Sequence, residues 1–198
     1  MLRLKINICG LFITMLLLSC SLPASADISA QLKGNKNEKT KTIKRTTIIN
    51  ASPEKAFAFM DNIENTGMHM TKKNTAMMGS RLTIEWLSEN KTGLGTKYRW
   101  TGKVAGMNMD FTVEVTKWEN GKEKIWETVG EPKLIVLSWY RMFLTLEPDE
   151  NGNTIALLGI DYRRPKGGVL GFFLAKRYAA WCVNSMLNDT KKHFENND

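Results

Sequence analysis

Histidine and cysteine are almost missing from this chain, which has 2 His and 3 Cys in 198 residues. Cys9 and Cys20 fall in the first twenty positions, which leaves Cys182 alone in the remainder. A lone cysteine excludes a disulfide framework, and with so little histidine no zinc-ligand spacing occurs. Cys182 lies in an apolar run with no conspicuous base for a partner, so it reads as a small core residue and not as a nucleophile. No phosphate loop, nucleophile elbow or internal repeat is visible. Proline is also sparse, at 5. None of the five falls in 166–198, so nothing there interrupts a long helix.

What is present is charge, and it is uneven. The formal net charge is +8, and taking away Arg3 and Lys5 leaves +6. Much of the excess sits in Lys33, Lys36, Lys39, Lys41, Lys44 and Arg45. Residues 27–41 are polar and nearly free of apolar side chains, and are expected to form a disordered basic tether. Elsewhere the basic residues are interspersed with acids and not striped, which speaks against a nucleic-acid partner. Residues 1–26 have the form of an export signal, with Arg3 and Lys5 ahead of an apolar core too short to span a bilayer comfortably. Pro23-Ala24-Ser25-Ala26 is a cleavage site of small residues, and Leu17-Leu18-Ser19-Cys20 resembles a lipobox that would lipidate Cys20. The expectation is an exported protein, periplasmic or attached to the cell envelope, with membrane association through Cys20 or the tether.

From Thr42 the pattern is that of an α+β domain reaching to residue 196. Thr42–Asn50 is a strand of β-branched residues. Ser52, Pro53 and Glu54 start a short helix that buries Ala56, Phe57 and Met60 and ends near Asn62. Residues 63–80 read as a loop with one further helical turn. Strands follow at Arg81–Leu87, Gly95–Val104, Met107–Trp118, Glu123–Val129, Leu134–Glu147 and Thr154–Arg163. The turn Ala105-Gly106 sets Val104 against Met107, Trp100 against Phe111 and Tyr98 against Val113, with Lys97 against Glu114 on the other face. At Asn120-Gly121 two registers compete. A two-residue turn places Glu114 opposite Glu127, whereas a three-residue loop turns Glu127 inward. The final stretch is one amphipathic helix carrying Ala179, Val183, Met186, Leu187, Thr190 and Phe194 on a single stripe.

This order, together with Ile48-Ile49-Asn50-Ala51-Ser52-Pro53-Glu54, Gly93-Leu94-Gly95-Thr96-Lys97-Tyr98 and Ile125-Trp126-Glu127, resembles the START-like superfamily. That group is also called SRPBCC, or the polyketide cyclase/dehydrase and lipid transport family. The resemblance covers about 42–194. It implies a helix-grip fold: a curved antiparallel sheet of about seven strands wrapped around the long C-terminal helix, with a deep apolar cavity between them. Where many relatives carry an aromatic-rich turn after the first helix, this chain has Gly67-Met68-His69-Met70.

The candidate ligand contacts are Tyr98, Trp100, Met107, Met109, Phe111, Val113, Tyr140, Met142, Phe173 and Tyr178. The catalytic candidates are Asp161, Tyr140 and Glu127, with Asp161 either inward beside Tyr140 or paired with Arg99 or Arg141. Met68, His69 and Met70, near Met77 and Met78, offer soft donors of the kind that suit Cu(I), and also the deformable wall of an apolar cavity. His69 reads as an exposed loop residue and His193 as solvent-exposed. Together these point to a monomeric binding protein for a small hydrophobic or amphipathic, lipid-like molecule, needing no cofactor. The rival readings are a cyclase or dehydratase, and a copper-handling protein.

Overall fold

The computed structural model describes residues 39–73, 75, 77–165 and 169–195, with the side chains of 169–172 left aside. The expected leader 1–26, Cys20 and most of the 27–41 tether lie outside these residues. Elements run in the order β1 (Lys41–Ile49), α1 (Pro53–Asp61), α2 (Ile63–Thr66), α3 (Met68–Thr71), β2 (Leu82–Trp86), β3 (Lys97–Val104), β4 (Met107–Glu119), β5 (Glu123–Lys133), β6 (Trp139–Pro148), β7 (Thr154–Arg163) and α4 (Val169–Glu195). The strands form a seven-stranded antiparallel sheet in the order β1-β7-β6-β5-β4-β3-β2. Strand alternation sends Tyr98, Trp100, Phe111, Val113, Trp126, Met142, Leu144, Leu158 and Ile160 to one face, and all of them are buried. Against that face lies α4, whose Ala175, Ala179, Val183, Met186, Leu187 and Thr190 are buried on one stripe.

The 63–80 segment holds two short helices where one helical turn was expected. Asn62 caps α2 by accepting from the Glu64 amide (2.9 Å), and Gly67 joins it to α3. A Cβ at Gly67 would meet the Ile63 carbonyl and the Trp100 ring, so the glycine lets this turn close onto the indole.

The β3–β4 hairpin has the expected register, Lys97↔Glu114 through Val104↔Met107. The next hairpin combines both alternatives. At its turn Glu119 faces Glu123 across three residues, as a loop with Gly121 at φ 73 requires. A bulge between Val115 and Lys117 then shifts the pairing by one, so that Glu114 faces Glu127 after all. Glu127 therefore points outward, correcting the inward placement that a three-residue loop alone implies. Cations relieve the like charges, with Lys97 on Glu114 at 2.9 Å and Arg141 directly across from Glu127. The Gly93–Thr96 turn braces the bulge: Gly95 N donates to Val115 O and Val115 N to Thr96 O, both at 2.9 Å. Another correction concerns Leu134–Glu147. The sixth strand begins at Trp139, and 134–138 is irregular chain that closes one end of the domain.

Candidate ligand cavity

At that end a cavity of about 580 Å³ opens between the tip of the β3–β4 hairpin, residues 134–137, the turn holding Met77 and Met78, and α4. The helix contributes Leu174, Arg177, Tyr178 and Trp181, the i, i+3, i+4 and i+7 positions of one face. The hairpin contributes Val104, Ala105, Met107 and Met109. A volume of this size lies within the range of about 300–1,000 Å³ usual for small-molecule sites. Among the described lining residues Arg177 is the one that is formally charged. Around the mouth Met78 (70%), Met107 (43%) and Leu174 (38%) stay exposed, as does nearby Phe173 (67%).

Between sheet and helix the described residues also enclose a much smaller space. An inner void of about 30 Å³ is bounded by Trp100, Trp126, Tyr140, Met142, Ile160, Cys182 and Met186 among others. That is room for about one water molecule. Leu137 and Tyr178 border both spaces and so stand between them. Among the described residues, aromatic side chains fill much of the interior where the resemblance implies a deep apolar cavity. Tyr98 packs edge-on to Trp100 at 6.3 Å and Phe111 edge-on to Tyr140 at 6.0 Å.

The expected contact residues divide accordingly. Met107, Met109 and Tyr178 line the open cavity, while Trp100, Tyr140, Met142 and Tyr178 line the inner void. Tyr98, Phe111 and Val113 line neither and are fully buried core. Phe173 stands exposed outside both linings. Met77 and Met78, read from the sequence as deformable cavity wall, do line it, whereas sequence reasoning missed Leu134–Leu137, Leu174, Arg177 and Trp181 as wall residues. The unbroken run Leu134-Ile135-Val136-Leu137 was the available signal, absorbed into a strand it does not form.

The carboxylate candidates face away from the cavity. Asp161 pairs across the sheet with Arg141, and Tyr140 with Tyr162, so the acid and Tyr140 lie on opposite faces. Arg141 Nη2 donates to Asp161 Oδ2 at 2.6 Å and Thr42 Oγ1 to Asp161 Oδ1 at 2.6 Å, which spends the carboxylate on tying β1, β7 and β6 together. Arg99 is held by Asp110 through two bonds of 2.7 Å. An inward acid beside Tyr140 is therefore not formed by Asp161 or Glu127. Burial pushes the hydroxyls of Tyr140 and Tyr178 well above the usual tyrosine range and the Cys182 thiol up to about 12. At neutral pH these groups donate hydrogen bonds and do not act as bases.

Met68, His69 and Met70 diverge, because consecutive helical residues point about 100° apart. Met70 is buried in the core, and Met68 lines a separate surface cleft of about 260 Å³ together with His69. The His69 ring, expected to be exposed, instead packs edge-on to Trp181 at 5.0 Å with Nδ1 2.9 Å from Thr66 O. Burial lowers its pKa to about 4. His193 is exposed and stacks on Phe59 at 4.2 Å.

One buried polar cluster was not foreseen. Lys124, turned inward by the bulge between Val115 and Lys117, places Nζ 2.6 Å from Asp61 Oδ1 and donates to Asp61 O at 2.6 Å. Trp118 Nε1 donates to Asp61 Oδ2 at 3.0 Å. The pair fixes the end of α1 on β4 and β5.

No family model and no curated protein sequence matches the chain. Solved structures do. A norcoclaurine synthase point mutant from Thalictrum flavum, in complex with a transition-state analogue, superposes with a TM-score of 0.60 at 12% identity, over 81% of this chain and 97% of that one. Ara h 8.0201 gives 0.57 at 10% identity, over 80% and 99%. Major latex-like protein 151 from Panax ginseng gives 0.53 at 12%, over 78% and 97%. These neighbours are Bet v 1-like members of the START/SRPBCC superfamily, and the likeness establishes the helix-grip fold.

Proposed function

We propose that this chain is an exported binding protein for a small apolar or amphipathic molecule held at the open end of the helix-grip domain. The observation that carries the reading is the cavity of about 580 Å³ with a nearly all-apolar wall. Burying ligand surface there contributes about 2.5 kcal/mol per 100 Å² of apolar area before the costs of association. Methionines 77, 78, 107 and 109 on the wall suit a ligand of variable shape, since thioether side chains readjust at small cost. The norcoclaurine synthase neighbour, described with a transition-state analogue, supports the view that this fold accommodates small organic molecules. The export signal read at 1–26 supports a ligand drawn from the cell envelope.

The test is native mass spectrometry of the protein released gently from its host, followed by titration with a fluorescent amphiphile. Bound mass that vanishes on organic extraction is the expected result. Val136→Trp, which adds bulk to the cavity wall, should weaken amphiphile binding at least tenfold without unfolding the domain. A bare protein that takes up no amphiphile at tens of micromolar would overturn the reading. A cyclase or dehydratase is the second reading, favoured only by the Tyr140 and Tyr178 hydroxyls and the Cys182 thiol around the inner void. Turnover that fails in Tyr140→Phe while ligand binding persists would move the assignment there.

A further inference from the structure

Several cations of the folded domain are committed to carboxylates. Arg99 is held by Asp110, Arg141 by Asp161, Lys97 by Glu114 and Lys124 by Asp61. Arg177 differs. Its residue is exposed, it lines the cavity, and among the described residues no carboxylate lies within ion-pair distance of it. Its neighbours Leu174, Tyr178 and Trp181 share the wall. The aliphatic stem therefore runs along apolar surface while the guanidinium remains at the rim. A planar fork with five donors and a permanent charge is matched geometrically to a carboxylate.

We infer that the cavity takes an amphiphile with a single anionic head, a carboxylate on an apolar tail, the head held by Arg177 at the mouth and the tail in the pocket. This rests on the cavity being a ligand site. It adds which end of the ligand stays outside and what charge that end carries. A phosphate monoester head would bring roughly 1.5 to 2 negative charges at neutral pH, and the described wall residues supply one cation, so the carboxylate is the better match. The same arrangement selects against cationic amphiphiles, whose head would meet Arg177 with like charge.

The experiment compares dodecanoate, dodecanol, dodecyl phosphate and dodecylamine on the full chain by calorimetry or probe displacement. Wild type should bind dodecanoate about three- to tenfold more tightly than dodecanol, the range expected of a rim ion pair in contact with water. Arg177→Gln should bring that ratio to about one, whereas Arg177→Lys should keep part of it. The preference should shrink above 0.5 M salt, because screening there acts within a few ångströms. It should also fade as pH falls below about 4.5, where the fatty-acid head is protonated and Arg177 is not. Equal binding of acid and alcohol by wild type, or a preference that survives Arg177→Gln, overturns the head-group assignment while the cavity reading stands. Tighter binding of dodecyl phosphate overturns the carboxylate specifically. Failure of all four ligands to bind overturns both readings.

Discussion

Breaking the Asp61–Lys124 pair should cost far more than removing it. Lys124 is 3% exposed and Asp61 6% exposed at the side chain, with Nζ and Oδ1 2.6 Å apart. Asp61→Asn keeps the shape and an acceptor for Trp118 but leaves the ammonium uncompensated in the interior. Removing one partner of a buried pair typically costs about 3–5 kcal/mol. That is a third or more of the stability of an ordinary domain, and for this size lowers Tm by about 10 °C. Lys124→Met in the Asp61→Asn background replaces the charge with an apolar chain of similar length. The double variant should lie within about 1–2 kcal/mol of wild type, so that Lys124→Met recovers about 2–3 kcal/mol of the Asp61→Asn loss. Burial already holds the Lys124 pKa below its ordinary value against the pull of Asp61, and loss of Asp61 lowers it further. Between that folded pKa and the unfolded value near 10.4 the unfolded chain binds more protons, so the stability of Asp61→Asn should climb as pH rises through this window. Urea unfolding of the four proteins at pH 7 and pH 9.5 measures this. A cost under 1 kcal/mol for Asp61→Asn, or a double variant worse than the two singles together, would refute the premise that the ammonium is sealed from water.

Three further outcomes follow from local geometry. With the His69 pKa lowered to about 4 by burial, the unfolded chain protonates first as pH drops below 6.5, so stability falls between pH 6.5 and 4 by at most about 3 kcal/mol; His69→Gln should flatten that limb of a urea-midpoint profile. Ala105 and Gly106 both have positive φ, 52° and 79°, the pattern of a type I′ turn, so Ala105→Asn or Ala105→Gly should raise stability by about 0.5–1 kcal/mol in thermal melts. Across the outer face Phe143 lies directly on Gly159, where an added Cβ would overlap the ring. Gly159→Ala should cost about 1–3 kcal/mol, and Phe143→Leu in that background should restore part of it.

The sequence was most legible where one signal decided the structure, and least where two competed. Alternation from Tyr98 to Val113 with Ala105-Gly106 between was enough to place every pair of the β3–β4 hairpin, because a one-residue slip would expose the aromatic face. The α4 stripe was equally plain. At Asn120-Gly121, turn preference and charge repulsion pulled in opposite directions; the chain kept the three-residue loop, and a bulge that no local propensity announces set Glu114 opposite Glu127, where cations relieve the like charges. Its consequence, Lys124 facing inward, created the Asp61 pair and left Glu127 outside. The cavity was misplaced for a related reason. Aromatic residues on the concave face read equally well as lining or as filling, since apolarity does not record volume. The segment 134–138 reads as strand by composition, yet it sits beyond the β5 ladder with β6, whose pairing ends at Glu127 and Arg141.

Volume is what separates lining from filling, and it can be tested. The two spaces differ nearly twentyfold, about 580 Å³ against 30 Å³, with Leu137 and Tyr178 at the boundary of both. If the filled interior is what confines a ligand to the open end, emptying it should lengthen the site. Trp100 is the apt residue to remove, as it borders the inner void and is 1% exposed. Trp100→Ala should destabilise the domain by about 3–5 kcal/mol through lost burial and the cavity left behind. A surrounding wall that collapses only in part leaves room for several methylenes of tail. In a series of alkyl carboxylates, the chain length of tightest binding should then increase by several carbons, because the tail can pass Leu137 and Tyr178 into the new space. Wild type should gain nothing from those added carbons. An optimum unmoved in Trp100→Ala, with the variant folded by circular dichroism, would mean that Leu137 and Tyr178 form a closed floor and that the outer cavity alone sets ligand length.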